Sequence, residues 1–132
     1  MAVDGSPTSL RAGAYAAGLA RRQHARLICL YVRPTPMLAA LNPGLAGPLR
    51  QAQDSVANEL REMVEVNAVR LGLQASFVER TGNPFAEIVR VADELSVDAV
   101  VVGASSQSGH RFVGSIAGHL VRIARWPVTV VP

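Results

Sequence analysis

Short runs rich in β-branched and apolar residues alternate along this chain with longer stretches whose apolar positions recur at helical spacing. That alternation predicts βαβ units and a mostly parallel sheet. A very short first strand ends at Val3, and Asp4-Gly5-Ser6-Pro7 forms a turn with Pro7 suited to open a helix. This first helix runs to about Gln23, with Leu10, Ala14, Ala17 and Ala20 facing inward and Tyr15 and Leu19 flanking them. A second strand, Leu27 to Val32, leads into the stretch from Arg33 to Pro48, whose four prolines and two glycines predict a loop that can serve as a lid. The second helix spans about Leu49 to Leu71, with Leu49, Ala52, Val56, Leu60 and Met63 inward and Gly72 placed to stop it.

The second half repeats the alternation. A third strand covers about Ala75 to Glu79, and Gly82-Asn83-Pro84 then offers Asn83 as a helix cap and Pro84 as the first helical residue. Phe85, Ile88, Val89, Ala92 and Leu95 mark the inward face of the third helix. Ala99 to Val102 is apolar at both parities, as a central strand covered on both faces should be. A loop from Gly103 to Gly114 follows, then a helix from Ser115 to about Arg125 with Ile116, Leu120 and Ile123 inward, ended by Trp126-Pro127. Val128 to Val131 closes the chain as a strand whose bare edge would invite pairing, so a two-fold partner is expected to cover it.

Composition narrows the classes. Length and an apolar content of 49% suit one domain over residues 1–132. No run reaches the roughly 18 apolar residues of a membrane helix, and no secretory leader pattern opens the chain, so a cytoplasmic protein without membrane contact is expected. Cys29, the single cysteine, sits inside an apolar strand and is expected to be buried and inert. The net charge of +3 comes with thirteen arginines and no lysine, yet they are scattered and aromatics are few, which argues against a nucleic-acid partner. The histidines lack metal-ligand spacing, and no nucleophile carries an evident base, so no catalytic residue and no metal ligand is nominated.

The segment Gly103-Ala104-Ser105-Ser106-Gln107-Ser108-Gly109-His110-Arg111-Phe112-Val113-Gly114-Ser115 leaves the carboxyl end of a buried strand and enters a helix. Free backbone N–H groups and the helix dipole favour an anion there, and glycines permit close approach. His110 and Arg111 are within the same loop and could reach a phosphate. No Walker motif and no dinucleotide fingerprint occurs.

These residues resemble the universal stress proteins. The likeness runs through Val3-Asp4-Gly5-Ser6, Leu30-Tyr31-Val32, Gly82-Asn83-Pro84, Asp98 to Gly103, Gly114-Ser115 and Trp126 to Val131, in that order and spacing. The resemblance implies a three-layer α/β sandwich with a five-stranded parallel sheet of order 3-2-1-4-5 and helices on both faces. That is the Rossmann-like, adenine nucleotide alpha hydrolase-like arrangement, commonly dimeric through the last strand. It also implies ATP, with or without Mg2+, at the switch point of the sheet, with AMP or cyclic AMP as lesser candidates. By matched position, Asp4 would face the ribose and the backbone near Val32 would meet the adenine. Val102 and Gly103, with Ser105, Ser106 and Gly109, would lead the chain around the phosphates, and Gly114, Ser115 and Ile116 would close from the helix start. The family's glycine spacing is altered here: Ser106 stands at the second glycine position, and the loop to Gly114 is two residues short. Only Met1 and Ala2 precede Val3, so a late start site or a lost leading segment is expected. The functional expectation is a nucleotide-responsive, non-enzymatic regulatory protein of the stress response. It would act as a homodimer through Val128 to Val131 and be read by an unidentified protein partner. The rival is a dimeric interaction module that binds no nucleotide, and weak ATP hydrolysis ranks last.

Overall fold

A computed structural model describes residues 1–35, 42–104 and 115–132. In chain order these form α1 (Pro7–Gln23), β1 (Leu27–Arg33), a 3-10 turn (Pro43–Leu45), α2 (Ala46–Leu71), β2 (Ala75–Thr81), α3 (Pro84–Glu94), β3 (Val100–Gly103), α4 (Ser115–Ile123) and β4 (Val128–Val131). Helix boundaries follow local chemistry. Ser6 caps α1 by accepting from Ser9 N–H, with Pro7 in the first turn. Gly72, left-handed at φ 63°, ends α2, because its backbone N–H turns back to Ala68 and Val69 carbonyls. Asn83 caps α3 through a bond from Ala86 N–H at 3.0 Å, with Pro84 beside it. Asn83→Ala is expected to lower stability by about 1 kcal/mol, read as a shifted urea midpoint with unchanged slope.

The strands pair in parallel as two ladders. Leu27 to Arg33 runs beside Ala75 to Thr81, and Val100 to Gly103 beside Val128 to Val131. This corrects the expectation of a single five-stranded sheet: the described residues give two two-stranded sheets, β1-β2 and β3-β4. The segment expected as the first strand supplies only an isolated bridge, Ala2 with Leu30. Residues 1–3 nevertheless bond to both sides. Val3 N–H donates to Leu30 O at 2.9 Å and Ala2 N–H donates to Val101 O at 3.1 Å.

Alternation along β1 and β3 sorts the core onto two faces. On one face Leu30, Val100 and Val102 pack with Ile88, Val91 and Ala92 of α3 and with Ala117 and Leu120 of α4. On the other, Val101 meets Ala12 and Ala16 of α1, while Val3, Cys29 and Tyr31 meet Ala57 and Leu60 of α2. β3 is thus buried on both faces, as its sequence predicts, and Cys29 is a buried free thiol.

All four helices differ in part from the sequence reading; in α4, Ala117 is buried and Ile123, expected inward, is exposed. In α1 the buried positions are Ser9, Ala12, Ala16 and Ala20, while Leu10 is 38% exposed. The helix is so rich in alanine that side-chain hydropathy hardly distinguishes its faces, and contact with the sheet decides. In α2 only Ala57 and Leu60 are buried, and Val56 and Met63 are exposed. α3 adds Val91 to its core face, and Leu95 of the expected stripe is exposed.

Candidate functional site

β1 and β3 flank the Met1–Val3 segment, which bonds to Ile28, Leu30 and Val101, and because its bridge to β1 is parallel the turn after Val3 emerges toward the carboxyl ends of the strands. In that turn the sequence pre-organises its own hydrogen bonds. Asp4 Oδ1 accepts from Ser6 N–H at 2.9 Å, the local bond a short carboxylate makes two residues on. Gly5 supplies the left-handed φ of 82° that the turn requires. Ser9, buried on the first turn of α1, accepts from Asp4 N–H at 3.3 Å and donates its hydroxyl to Ser6 O at 3.0 Å. Ser9 was not among the sequence candidates; its signal is only a serine three residues after the cap.

This setting fixes the charge of Asp4. Partial burial pushes its carboxyl up, but hydrogen bonds from Ser6 side chain and backbone, from Ser9 and from its own backbone outweigh that, leaving it below its ordinary value. A carboxyl depressed on folding adds stability above the unfolded-state pKa of about 3.9, and that stability fades as pH falls through the folded value. Asp4→Asn is therefore expected to shallow the acid limb of the stability curve below about pH 4 and to leave its neutral slope unchanged, as followed by urea melts across pH.

Gly103 ends β3 directly behind the same turn. A Cβ there would stand 2.7 Å from Thr8 C, 2.8 Å from Ser9 N and 2.9 Å from Thr8 O, all backbone atoms. Glycine is thus required for β3 to touch the start of α1, a packing reason independent of any ligand. Beyond it, Ala104 N–H donates to Val131 O at 2.7 Å. Val102 is buried, and Val32 and Ile116 pack against the same apolar cluster. The structure therefore brings together Val32, Val102 and Ile116, and separately Asp4 and Gly103 around the first turn of α1. Ser115 is the first residue of α4. Ser105, Ser106, Gly109 and Gly114 lie outside the described residues, as do His110 and Arg111.

A charged network unforeseen from sequence borders this edge. Arg33, at the end of β1, bonds Asp54 of α2 and Glu79 of β2, and Arg61 of α2 reaches the other Glu79 oxygen at 3.1 Å. Arg61 also lies over the Phe77 ring, 5.2 Å from its centroid. Hydrogen bonds to Asp54 and Glu79 push the Arg33 guanidinium further up, so it stays charged. Its members come from three elements far apart in sequence, so spacing carries no trace of them.

The sequence profile of the universal stress protein family matches residues 1–132. The chain belongs to the universal stress protein family. It is 29% identical to the universal stress protein YxiE of Bacillus subtilis, an alignment covering 99% of this chain and 95% of that one. Among solved structures, the universal stress protein UspA from Lactobacillus plantarum superposes with a TM-score of 0.82 at 28% identity, covering 99% of this chain and 94% of the other. Such structures share the Rossmann-like α/β fold of helices on parallel strands. Others of the family carry nucleotides. A universal stress protein in complex with cAMP has a TM-score of 0.72 at 24% identity, with coverage of 99% and 92%. One from Archaeoglobus fulgidus in complex with dAMP has 0.68 at 24%, with 99% and 94%. At these identities the likeness to this chain is one of fold.

Proposed function

We propose that this universal stress protein binds an adenine nucleotide where the turn after Val3 meets the carboxyl ends of β1 and β3. The observation that carries the reading is the juxtaposition of a charged, locally held carboxylate, Asp4, with the start of the loop at Gly103. The fit is chemical. Asp4 offers an acceptor to ribose hydroxyls, the apolar cluster around Val32, Val102 and Ile116 suits a base, and the N-terminus of α4 at Ser115 suits phosphate. The nucleotide complexes of relatives support the ligand class. ATP, with Mg2+ held through its phosphates, is our first choice and AMP or cyclic AMP the next.

The further parts of the reading follow the same logic. Hydrogen bonds run from Met1–Val3 to both β1 and β3, so this segment lies between the two ladders and its following turn opens beside both. β4 pairs only with β3 among the described residues, so its free edge is the natural seam for a homodimer. No helix among the described residues is long and apolar enough to cross a membrane, and we place the protein in the cytoplasm as a non-enzymatic regulator. The rival, a dimeric interaction module without nucleotide, draws on Ser106 and the two missing loop residues.

Thermal unfolding with ATP and magnesium, AMP or cyclic AMP distinguishes them. A nucleotide present at a hundredfold over its Kd should stabilise the native protein by about 2.7 kcal/mol. Unchanged unfolding with all three, up to millimolar concentrations, assigns the protein to the interaction-module class.

A further inference from the structure

α1 and α2 lie side by side on one face of the strands, and each leads back to the start of a parallel strand, so the two helices run in the same direction. Their outward sides carry opposite charge. No acidic residue occurs between Asp4 and Asp54, so α1 holds Arg11, Arg21 and Arg22 and no carboxylate. α2 exposes Glu59, Glu62 and Glu65 beside Val66 and Val69, which are 58% and 85% exposed. None of these charges is ion-paired among the described residues. The Arg11 side chain bonds Pro132 O through Nε at 2.7 Å. By helical periodicity Arg11, Gly18 and Arg22 stand opposite the buried Ala12 and Ala16, as Glu59, Glu62 and Val66 stand opposite the buried Ala57 and Leu60. The helices are also level. His24 caps α1 and Gly72 caps α2, each three residues before the paired strand positions Leu27 and Ala75. Counting back at equal rise puts Arg11 level with Glu59 and Gly18 level with Val66. Arg22 folds back along α1, with Nη1 3.4 Å from where a Cβ on Gly18 would stand, so its cation is also near the level of Val66.

We propose that this two-helix face binds a second copy of the chain, α1 of each copy on α2 of the other. A two-fold axis between the copies and parallel to the helices makes that pairing and preserves every level. Arg11 then meets Glu59 of the second copy, Arg22 meets its Glu62 and Glu65, and its Val66 seats over Gly18. Such a contact is isologous and closes on two chains. It covers the exposed valines and gives each unpaired charge an opposite one. Arg11, Arg22, Val66 and the three glutamates stand outside the groove between the helices, so the contact does not depend on what fills that groove. It is separate from the β4 edge and does not rest on the nucleotide reading. Exposed charges are commonly just solvated; in that role they would not make association depend on which helix carries which sign.

Sedimentation velocity of the full chain, from micromolar to millimolar concentration, tests this. The salt is raised from about 0.1 M to about 1 M, which shortens the screening length from about 10 Å to about 3 Å. Wild type should self-associate in a step that weakens about tenfold or more at high salt. Arg11→Glu with Arg22→Glu should weaken the same step about tenfold or more at low salt, and so should Glu59→Arg with Glu62→Arg, because each sets like charges together. All four positions are exposed, and melting curves confirm the fold of each variant. The chain carrying all four substitutions keeps the wild-type net charge and again opposes unlike charges, so it should self-associate as wild type does. Pairing through β4 leaves α1 and α2 unaltered and is common to every chain, so the readout is the step that responds to the reversals. A wild type with no such step, or a step indifferent to both reversals, overturns the proposal. So does a folded four-substitution chain that fails to recover it. Wild type that does not self-associate through this step yet binds poly-glutamate would give the face to an acidic partner and overturn it equally.

Discussion

Replacing Gly103 by alanine is expected to lower the unfolding free energy by about 3 kcal/mol, the upper part of the range for overpacking a tight contact. The added Cβ would lie under 3.0 Å from three backbone atoms of Thr8 and Ser9. Those atoms cannot rotate away as a side-chain tip can, so either α1 lifts from β3 or the β3 carboxyl end bends. Either movement also pulls on the Ser6 cap and the Ser9 bonds that hold Asp4. Gly118→Ala is the matched control: its Cβ would meet nothing within 4 Å in the middle of α4. There the substitution should stabilise by about 0.5 to 1 kcal/mol through helix propensity. Urea titrations of both variants check the pair, and a Gly103→Ala midpoint equal to wild type would show that β3 and α1 do not touch as described.

Leu120→Ala is expected to have the largest single effect, a loss of about 3 to 4 kcal/mol within the range for buried leucines. Leu120 is wholly buried and is the largest fully buried side chain among the described residues. It joins α4 to the α3 face and to β3 through one cluster. Because helices and strands close around it from several directions, collapse into the void is restricted, and the cavity term adds to the lost transfer energy. For a domain whose total stability falls in the common range of about 5 to 15 kcal/mol, that is a large share. Denaturation should show a lower midpoint at unchanged slope, whereas a loss below about 1 kcal/mol would mean the cluster is loosely packed.

The order of elements was legible because turn chemistry and periodicity agreed. Pro7, Gly72, Asn83 and Pro84 sit at the helix ends their chemistry assigns them. Helix phase was less legible. Alanine-rich α1 offers little contrast between faces, and α2, 26 residues long, touches the strands over only part of its length, leaving apolar residues such as Val66 and Val69 exposed. The continuous sheet was over-read because a short apolar motif at Val3 signals extended backbone without saying which neighbours its N–H and C=O groups will pair with. At the site, Asp4 and Gly103 were visible by position, although the need for glycine at 103 comes from the α1 backbone, which no local pattern announces. The bonds among Arg33, Asp54, Arg61 and Glu79 depend on the register of β1 with β2 and the seating of α2, information that exists only once the chain has folded.

Adenine-nucleotide binding beside Asp4 is tested most directly by calorimetric titration of the nucleotide-stripped protein with ATP and magnesium, AMP and cyclic AMP, in parallel with Asp4→Ala and Gly114→Ala. Micromolar binding of at least one nucleotide by the wild type, weakened tenfold or more in both folded variants, is the predicted result. Absence of heat with every nucleotide, or affinity unaltered by Asp4→Ala, would contradict it.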